Sequence, residues 1–131
     1  MGAVAGPNII VMMLTAMEHD LQSQINTKMD TQMLMSMQSI WLGNAKAQVY
    51  QKYGNIDTST QAGKDAYYNL QSELGKIEAK ERQMQAYEKT LEMKLKQLEN
   101  QLKMVQQRKE AAQKMLDKNI QDAFSYGHGG R

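Results

Sequence analysis

The sequence predicts an all-α protein, a long two-helix antiparallel coiled-coil hairpin whose N-terminal helix is poor in charge. Three observations predict this fold. Apolar residues recur at a strict seven-residue spacing in the C-terminal half, they recur at helical three- and four-residue steps in the first fifty residues, and turn-forming residues cluster between the two stretches. With 131 residues, 6% aromatic residues and one Pro, the chain fits a single helical domain spanning 1–131, without an aromatic-rich core.

The first helix is predicted over about residues 8–53. Pro7 suits the start of a helix, where its missing N–H has no partner to lose, and residues 2–6 are small. Glu18 and Asp20 end the N-terminal apolar segment after about fifteen residues, which is shorter than the roughly 20 residues that cross a bilayer. No basic residue precedes this run, so we expect neither a cleavable signal peptide nor a stable membrane span.

Apolar residues in this helix follow one another at steps of three or four. The predicted stripe consists of Ile10, Leu14, Met17, Leu21, Ile25, Met29, Met33, Met37 and Ile40. Three further apolar residues, Met35, Leu42 and Val49, lie off the stripe, so the apolar surface is broad. A helix this poor in charge is usually buried on several sides, and a single partner helix is not enough to cover it.

Two segments can interrupt the first helix. The segment Trp41-Leu42-Gly43 permits a turn or a kinked helix, because glycine costs about 1 kcal/mol in a helix interior, and we favour the continuous helix. The firmer break is predicted at about residues 54–62. Residues that form turns and cap helices cluster there, namely Gly54, Asn55, Asp57, Thr58, Ser59 and Thr60.

The second helix is predicted over about residues 63–123 and carries the heptad repeat. One column of the repeat is Leu70, Ile77, Met84, Leu91, Leu98, Val105, Ala112 and Asn119, and a second is Leu74, Glu81, Glu88, Leu95, Leu102, Lys109 and Leu116. A strict seven-residue repeat keeps its seam on a partner by supercoiling left-handedly, which is typical of a coiled coil. Residues 124–131 are predicted to form a flexible, Gly-rich tail.

Charged residues of the second helix fall into two groups. Most are expected on the solvated face, where acid-before-base spacings of four residues favour ion pairs, as in Glu78 with Arg82, Glu92 with Lys96, Glu99 with Lys103 and Glu110 with Lys114. Glu81, Glu88 and Lys109 instead fall in the seam, where they should meet opposite charges, lie near water or set the register. Antiparallel pairing is expected to bring Lys28 or Lys46 near the two glutamates.

The residues that catalysis or metal binding requires are scarce. The chain has no Cys, no Gly-rich phosphate loop and two distant histidines, and for both His19 and His128 a solvated position is favoured over metal binding. The net charge of +2, with acidic and basic residues interleaved, argues against nucleic acid as the main partner. We therefore expect no enzyme activity, no cofactor and no metal.

The segments Ile9-Ile10-Val11-Met12-Met13-Leu14 and Gln97-Leu98-Glu99-Asn100-Gln101-Leu102 carry a family resemblance. Across most of its length the chain resembles the translocator filament subunits of type III secretion systems, which pair a charge-poor N-terminal helix with a Gln-rich coiled-coil helix. The resemblance implies a secreted, extracellular structural subunit that builds a filament or conduit. It also implies a secretion chaperone and needle or translocator proteins as partners, and glutamines at 106, 107, 113 and 121 as candidates for lining a lumen.

Self-assembly into a helical oligomer is the function expected from the broad apolar surface of the first helix. A soluble four-helix dimer would also cover that surface, and an extended polymer and a dimer both remain open. The residues expected at the self-assembly interface are Ile10, Leu14, Met17, Leu21, Ile25, Met29, Met33, Leu91, Leu95, Leu98, Leu102 and Val105.

Three other interpretations remain open. Trp41-Leu42-Gly43 is similar to the Trp-x-Gly turn of small secreted helical hairpins exported by type VII systems, although Leu91 stands where that family's export signal after Tyr87 would have an acidic residue. A cytosolic coiled-coil export chaperone or stalk protein would share the long hairpin but would stay monomeric or dimeric when concentrated. A virion structural protein would also self-assemble.

Overall fold

Two long helices pack against each other as a hairpin. The computed structural model describes the backbone of residues 2–129 and the side chains of residue 6 and residues 8–125. Helix α1 spans Gly2–Tyr53 and helix α2 spans Gln61–Gly129, and no strand occurs among these residues. The all-α hairpin predicted from the sequence is confirmed.

The chain divides into two compact units, each built from a stretch of both helices. Unit 1 comprises Met1–Thr27 and Lys94–Arg131. Unit 2 comprises Lys28–Met93 and includes the turn between the helices.

The helix ends differ from the predicted ones. Helix α1 begins at Gly2 and includes Pro7, although a proline inside a helix gives up one backbone hydrogen bond and crowds the preceding turn. It continues through Trp41-Leu42-Gly43, as we favoured. Helix α2 runs to Gly129, so residues 124–129 of the predicted flexible tail are helical, and residues 130 and 131 lie outside the described chain. A terminal glycine weakens a helix by only about 1 kcal/mol and does not force it to end.

Both heptad columns of α2 face α1. The buried members are Leu70, Leu74, Leu91, Leu95, Val105, Ala112 and Leu116. The other members, including Glu81, Glu88 and Lys109, are half-buried. The strict repeat therefore identified the face of α2 that packs in the hairpin.

Helix α1 also packs through a heptad repeat, and of the predicted stripe only Leu14, Leu21 and Ile25 lie in this seam. One column of the α1 seam is Leu14, Leu21, Lys28, Met35, Leu42 and Val49, and the other is Val11, Glu18, Ile25, Gln32, Ser39, Lys46 and Tyr53; all are buried or half-buried except Ser39, which is exposed. Met29, Met33, Met37 and Ile40, which the prediction placed on the stripe, are exposed. Successive four-residue steps rotate a stripe by about 40° each, so the predicted stripe left the face that a seven-residue repeat holds.

Three ion pairs join the helices, and the two that lie in the seam define the antiparallel register. In unit 1, Glu18 Oε2 lies 3.7 Å from Lys109 Nζ, and in unit 2, Lys46 Nζ lies 3.0 Å from Glu81 Oε1. The separation from Glu18 to Lys46 along α1 is 28 residues, and the separation from Glu81 to Lys109 along α2 is also 28 residues. The register of the two helices is therefore the same in both units. Of the two lysines expected near the seam glutamates, Lys46 meets one of them, Glu81.

The turn is built from a left-handed glycine and a capping threonine. Gly54 adopts a φ of 57° and donates its N–H to the carbonyl of Tyr50 at 3.1 Å. A left-handed glycine with such a hydrogen bond commonly ends a helix. Thr60 Oγ1 accepts the N–H of Gly63 at 3.0 Å and so caps the start of α2. Between them, Asp57 Oδ1 accepts hydrogen bonds from the hydroxyl and N–H of Ser59, which lower the pKa of Asp57.

Candidate self-assembly surface

The seam uses two of every seven positions of α1, and much of the remaining surface of the helix is apolar. In unit 1, an exposed N-terminal patch consists of Ile9, Ile10, Met12, Met13 and Met17, which are 46 to 64% exposed. In unit 2, an exposed central patch consists of Met29, Met33, Leu34, Met37, Ile40 and Trp41. Trp41 is the most exposed of these, at 78%. These side chains have no covering partner within the hairpin.

Polar side chains occupy the outer surface of α1 between residues 18 and 27. They bond within their own helix, where Gln24 Nε2 donates to Asp20 Oδ2 at 2.8 Å and Gln22 Nε2 donates to Asn26 Oδ1 at 3.1 Å. His19 is exposed in this segment, as we expected for a solvated residue, and the side chain of His128 lies outside the described chain.

Unit 2 contains an open groove of about 800 Å³ between the helices. Its apolar lining combines Leu34, Met35, Trp41 and Leu42 of α1 with Met84 and Tyr87 of α2. Its polar lining is Thr31, Gln38, Lys80 and Gln83. The groove is therefore an apolar surface that part of the central patch borders, with a lysine at its edge.

Unit 1 contains a smaller groove of about 340 Å³. Met17, Leu21, Met104 and Val105 supply its apolar lining, and Asp20, Gln101 and Arg108 supply its polar lining. Because an acidic and a basic residue both line it, this groove is less apolar in character than the groove of unit 2.

The outer surface of α2 is mainly polar and charged. Of the four predicted acid-before-base pairs, Glu110 and Lys114 approach within 3.5 Å, and the other three are not paired within the described chain. An exposed pair gains little in water and restricts two long side chains, so this spacing alone does not ensure contact. The two helices thus present chemically different outer surfaces.

The charges at the seam are paired in part. The carboxylate of Glu81 raises the pKa of Lys46, and the carboxylate of Glu73, 3.1 Å away, raises the pKa of Lys52. Glu81 Oε1 is buried, and its ion-pair partner Lys46 Nζ lies 3.0 Å away. Lys28 and Glu88 are half-buried, and neither forms an ion pair in the described part of the chain.

The hairpin itself uses most of the residues predicted at the self-assembly interface. Leu14, Leu21, Ile25, Leu91, Leu95 and Val105 are buried, and Leu98 and Leu102 pack against the core of unit 1. Ile10, Met17, Met29 and Met33 are exposed and remain available to another molecule. Sequence reasoning did not place Met12, Met13, Leu34, Met37, Ile40 and Trp41 at this interface. The seven-residue column from Leu14 to Val49 could have identified the outward-facing residues.

The described chain shows few other features from which a function can be derived. It contains no group of three or more His, Cys, Asp or Glu side chains placed to hold a metal ion. None of its described helical stretches is apolar enough to cross a membrane. No protein-family model matches the sequence, and the comparisons with curated proteins and with solved structures gave no match.

Proposed function

We propose that this chain is a structural subunit that assembles with copies of itself through the exposed apolar side chains of α1. The observation that carries the proposal is the exposure of the central patch, from Met29 to Trp41, after the hairpin has formed. Contiguous exposed apolar surface is rare on soluble monomers and generally marks an interaction site. The hairpin seam is already filled, so another molecule must supply the cover.

The chemical contrast between the helices supports an ordered assembly. The apolar outer surface of α1 gains free energy when neighbouring subunits cover it, whereas the charged outer surface of α2 is stable in water. Exposed methionines suit such contacts, because their flexible side chains fit neighbours that differ slightly in position. Subunits are therefore expected to pack with α1 towards their neighbours and much of α2 towards solvent.

The resemblance to type III translocator filament subunits extends this proposal. On that analogy the assembly is a secreted, extracellular filament or conduit, connected with needle or translocator proteins. A secretion chaperone would cover the apolar patches before export. Without such cover, the exposed methionines of α1 would favour premature association at high concentration.

The proposal is tested by measuring assembly of the full-length chain as its concentration rises. Light scattering and negative-stain electron microscopy should show oligomers or filaments for the wild type. Met13→Glu places a charge in the N-terminal patch and should raise the concentration required for assembly roughly tenfold, which corresponds to about 1.4 kcal/mol. Met93→Glu is the matched control, because Met93 is 71% exposed and lies on α2.

The control variant is expected to assemble as the wild type does. A wild type that stays monomeric or dimeric at every concentration would overturn the filament proposal and favour a coiled-coil export chaperone or stalk protein. Equal effects of Met13→Glu and Met93→Glu would show that assembly does not depend on the apolar surface of α1.

A further inference from the structure

We propose that copies of this chain pack side by side in the same direction, with a ridge on α1 of one copy in the unit 2 groove of the next. The ridge is Met29, Met33 and Ile40, and the groove is bordered by Leu34, Trp41 and Tyr87. This inference rests on the proposed self-assembly and specifies the contact, its direction and its charge pairs.

Ridge and groove lie on opposite sides of the same hairpin. Met29 and Met33 each follow a seam residue, Lys28 and Gln32, by one position. Leu34 and Trp41 each precede a seam residue, Met35 and Leu42, by one position. One residue turns a helix by about 100°, so the two sets project to opposite sides of the seam. Each copy therefore offers one ridge and one groove.

The two surfaces occupy the same stretch of the chain. The ridge runs from residue 29 to residue 40, and the α1 lining of the groove runs from residue 31 to residue 42. Two copies in the same direction can therefore join ridge to groove with an axial shift of only about 3 Å at 1.5 Å per residue. The ridge residues are spaced by four and seven positions, as in helices that dock into apolar grooves.

The charged residues of α2 are likewise divided between the ridge side and the groove side of the seam. Lys80 and Lys94 each precede a seam residue by one position, and Lys80 lines the groove. Glu78 and Glu92 each follow a seam residue, Ile77 and Leu91, by one position and so lie on the ridge side. All four side chains are exposed and none forms an ion pair in the described chain.

Side-by-side packing brings these charges together in two pairs. Lys80 is two residues from Glu78, and Lys94 is two residues from Glu92, which is about 3 Å along α2. Because α2 runs opposite to α1, the shift that joins ridge to groove increases this axial separation to about 6 Å, which the long lysine and glutamate side chains can span. A neighbour in the same direction therefore places its glutamates within reach of the lysines of the groove side. A neighbour in the opposite direction would lose this correspondence. Charge complementarity thus selects a second copy, in the same direction, as the occupant of the groove.

Such a contact joins two different surfaces and leaves one of each free at the ends. An interface of this type builds a ring if the rotation closes and a helical filament if it does not. It is not satisfied in a two-fold symmetric dimer.

Charge-reversal variants test the inference. Lys80→Glu with Lys94→Glu makes both sides acidic, and Glu78→Lys with Glu92→Lys makes both sides basic. Each double variant alone should require an at least tenfold higher concentration to assemble. An equimolar mixture should recover assembly by alternating the two variants, as measured by sedimentation velocity and light scattering.

The matched control is Lys64→Glu with Lys118→Glu, which changes net charge by the same amount at two exposed positions outside the proposed contact. It should assemble as the wild type does, and circular dichroism should show the same helix content for every variant. A mixture that fails to recover assembly, or double variants that assemble normally, would overturn the inference. If Met13→Glu still blocked assembly in that case, the proposed function would stand and this contact alone would fail.

A ridge variant supplies an independent measurement. Met33→Glu removes the ridge and leaves the groove, so it should bind the exposed ridge at one end of a wild-type assembly and stop growth there. A small fraction added to the wild type should shorten the assemblies. Addition without effect on their length would contradict the ridge-into-groove contact.

Discussion

Gly63 lies where the chain re-enters a helix after the turn, and the space around it excludes a side chain. A β-carbon at this position would overlap the carbonyl oxygen of Asp57, which also accepts a hydrogen bond from Thr60 Oγ1 at 3.2 Å. The backbone there must move if any other residue is introduced. The turn thus depends on a glycine whose conformation is otherwise ordinary.

Gly63→Ala is therefore expected to destabilise the hairpin. Displacing Asp57 weakens the Thr60 cap, whose loss alone costs about 1 kcal/mol. Thermal unfolding followed by circular dichroism measures the change. Gly43→Ala is the matched control, because a β-carbon there meets no atom within 4 Å and alanine favours the helix by up to about 1 kcal/mol. A destabilised Gly43→Ala together with an unchanged Gly63→Ala would contradict this account.

The ion pairs of Lys46 and Lys52 predict a loss of stability at alkaline pH. In both lysines a neighbouring glutamate raises the folded-state pKa above the ordinary lysine value of 10.5. Their contribution is fully present below the unfolded pKa and is lost as pH rises through the folded pKa. Urea unfolding should therefore show a lower midpoint above pH 10.5 than at pH 9. The variant Lys46→Gln with Lys52→Gln should be less stable at pH 9 and should show a smaller decrease. An equal decrease in both proteins would contradict the assignment.

At the scale of the helices, apolar residues close together in the sequence differ widely in burial. Leu91 is 3% exposed in the seam of α2, and Met93, two residues away, is 71% exposed. Leu91→Ala should destabilise the hairpin by about 2 to 5 kcal/mol, because it leaves a cavity. Met93→Ala should change stability by less than about 0.5 kcal/mol. Chemical denaturation of both variants measures the difference, and similar losses would place the seam elsewhere.

The sequence was sufficient to identify the packing face of α2 but not that of α1. In α2 the strict seven-residue columns contain mostly apolar residues, and many of the positions between them are charged, so the apolar face is distinct. In α1, methionines surround the helix, and Met33 and Met35 are equally apolar although one is exposed and the other buried. Hydrophobicity alone does not choose between them. The choice comes from the partner, whose seven-residue repeat imposes the same repeat on α1.

The contacts between side chains were predictable only where the seam restricts them. Lys46 was expected to meet the seam glutamates, and it does meet Glu81. Three of the four expected pairs along the exposed face of α2 are absent from the described chain, because long side chains in water have many conformations of similar energy. The unit 2 groove was not predictable either, since it needs the register that sets Trp41 against Tyr87.

At the scale of the whole molecule, the distribution of exposed residues predicts how the protein behaves before it assembles. The apolar surface of α1 is formed by the folded hairpin and does not require a conformational change to appear. Assembly should therefore depend mainly on concentration. It should weaken as salt screens the proposed lysine–glutamate pairs but persist because the apolar contacts remain.

The two ion pairs of the seam have a consequence for folding errors. The acid belongs to α1 in one pair and to α2 in the other. A slip of one heptad in one direction sets Lys46 opposite Glu88 but sets Glu18 opposite Leu116, and a slip in the other direction sets both charges opposite leucines. No one-heptad misalignment satisfies both pairs, so mispaired hairpins are penalised even where apolar residues still meet. A long repetitive seam would otherwise tolerate several alignments. The two ion pairs favour the native alignment over those shifted by one heptad.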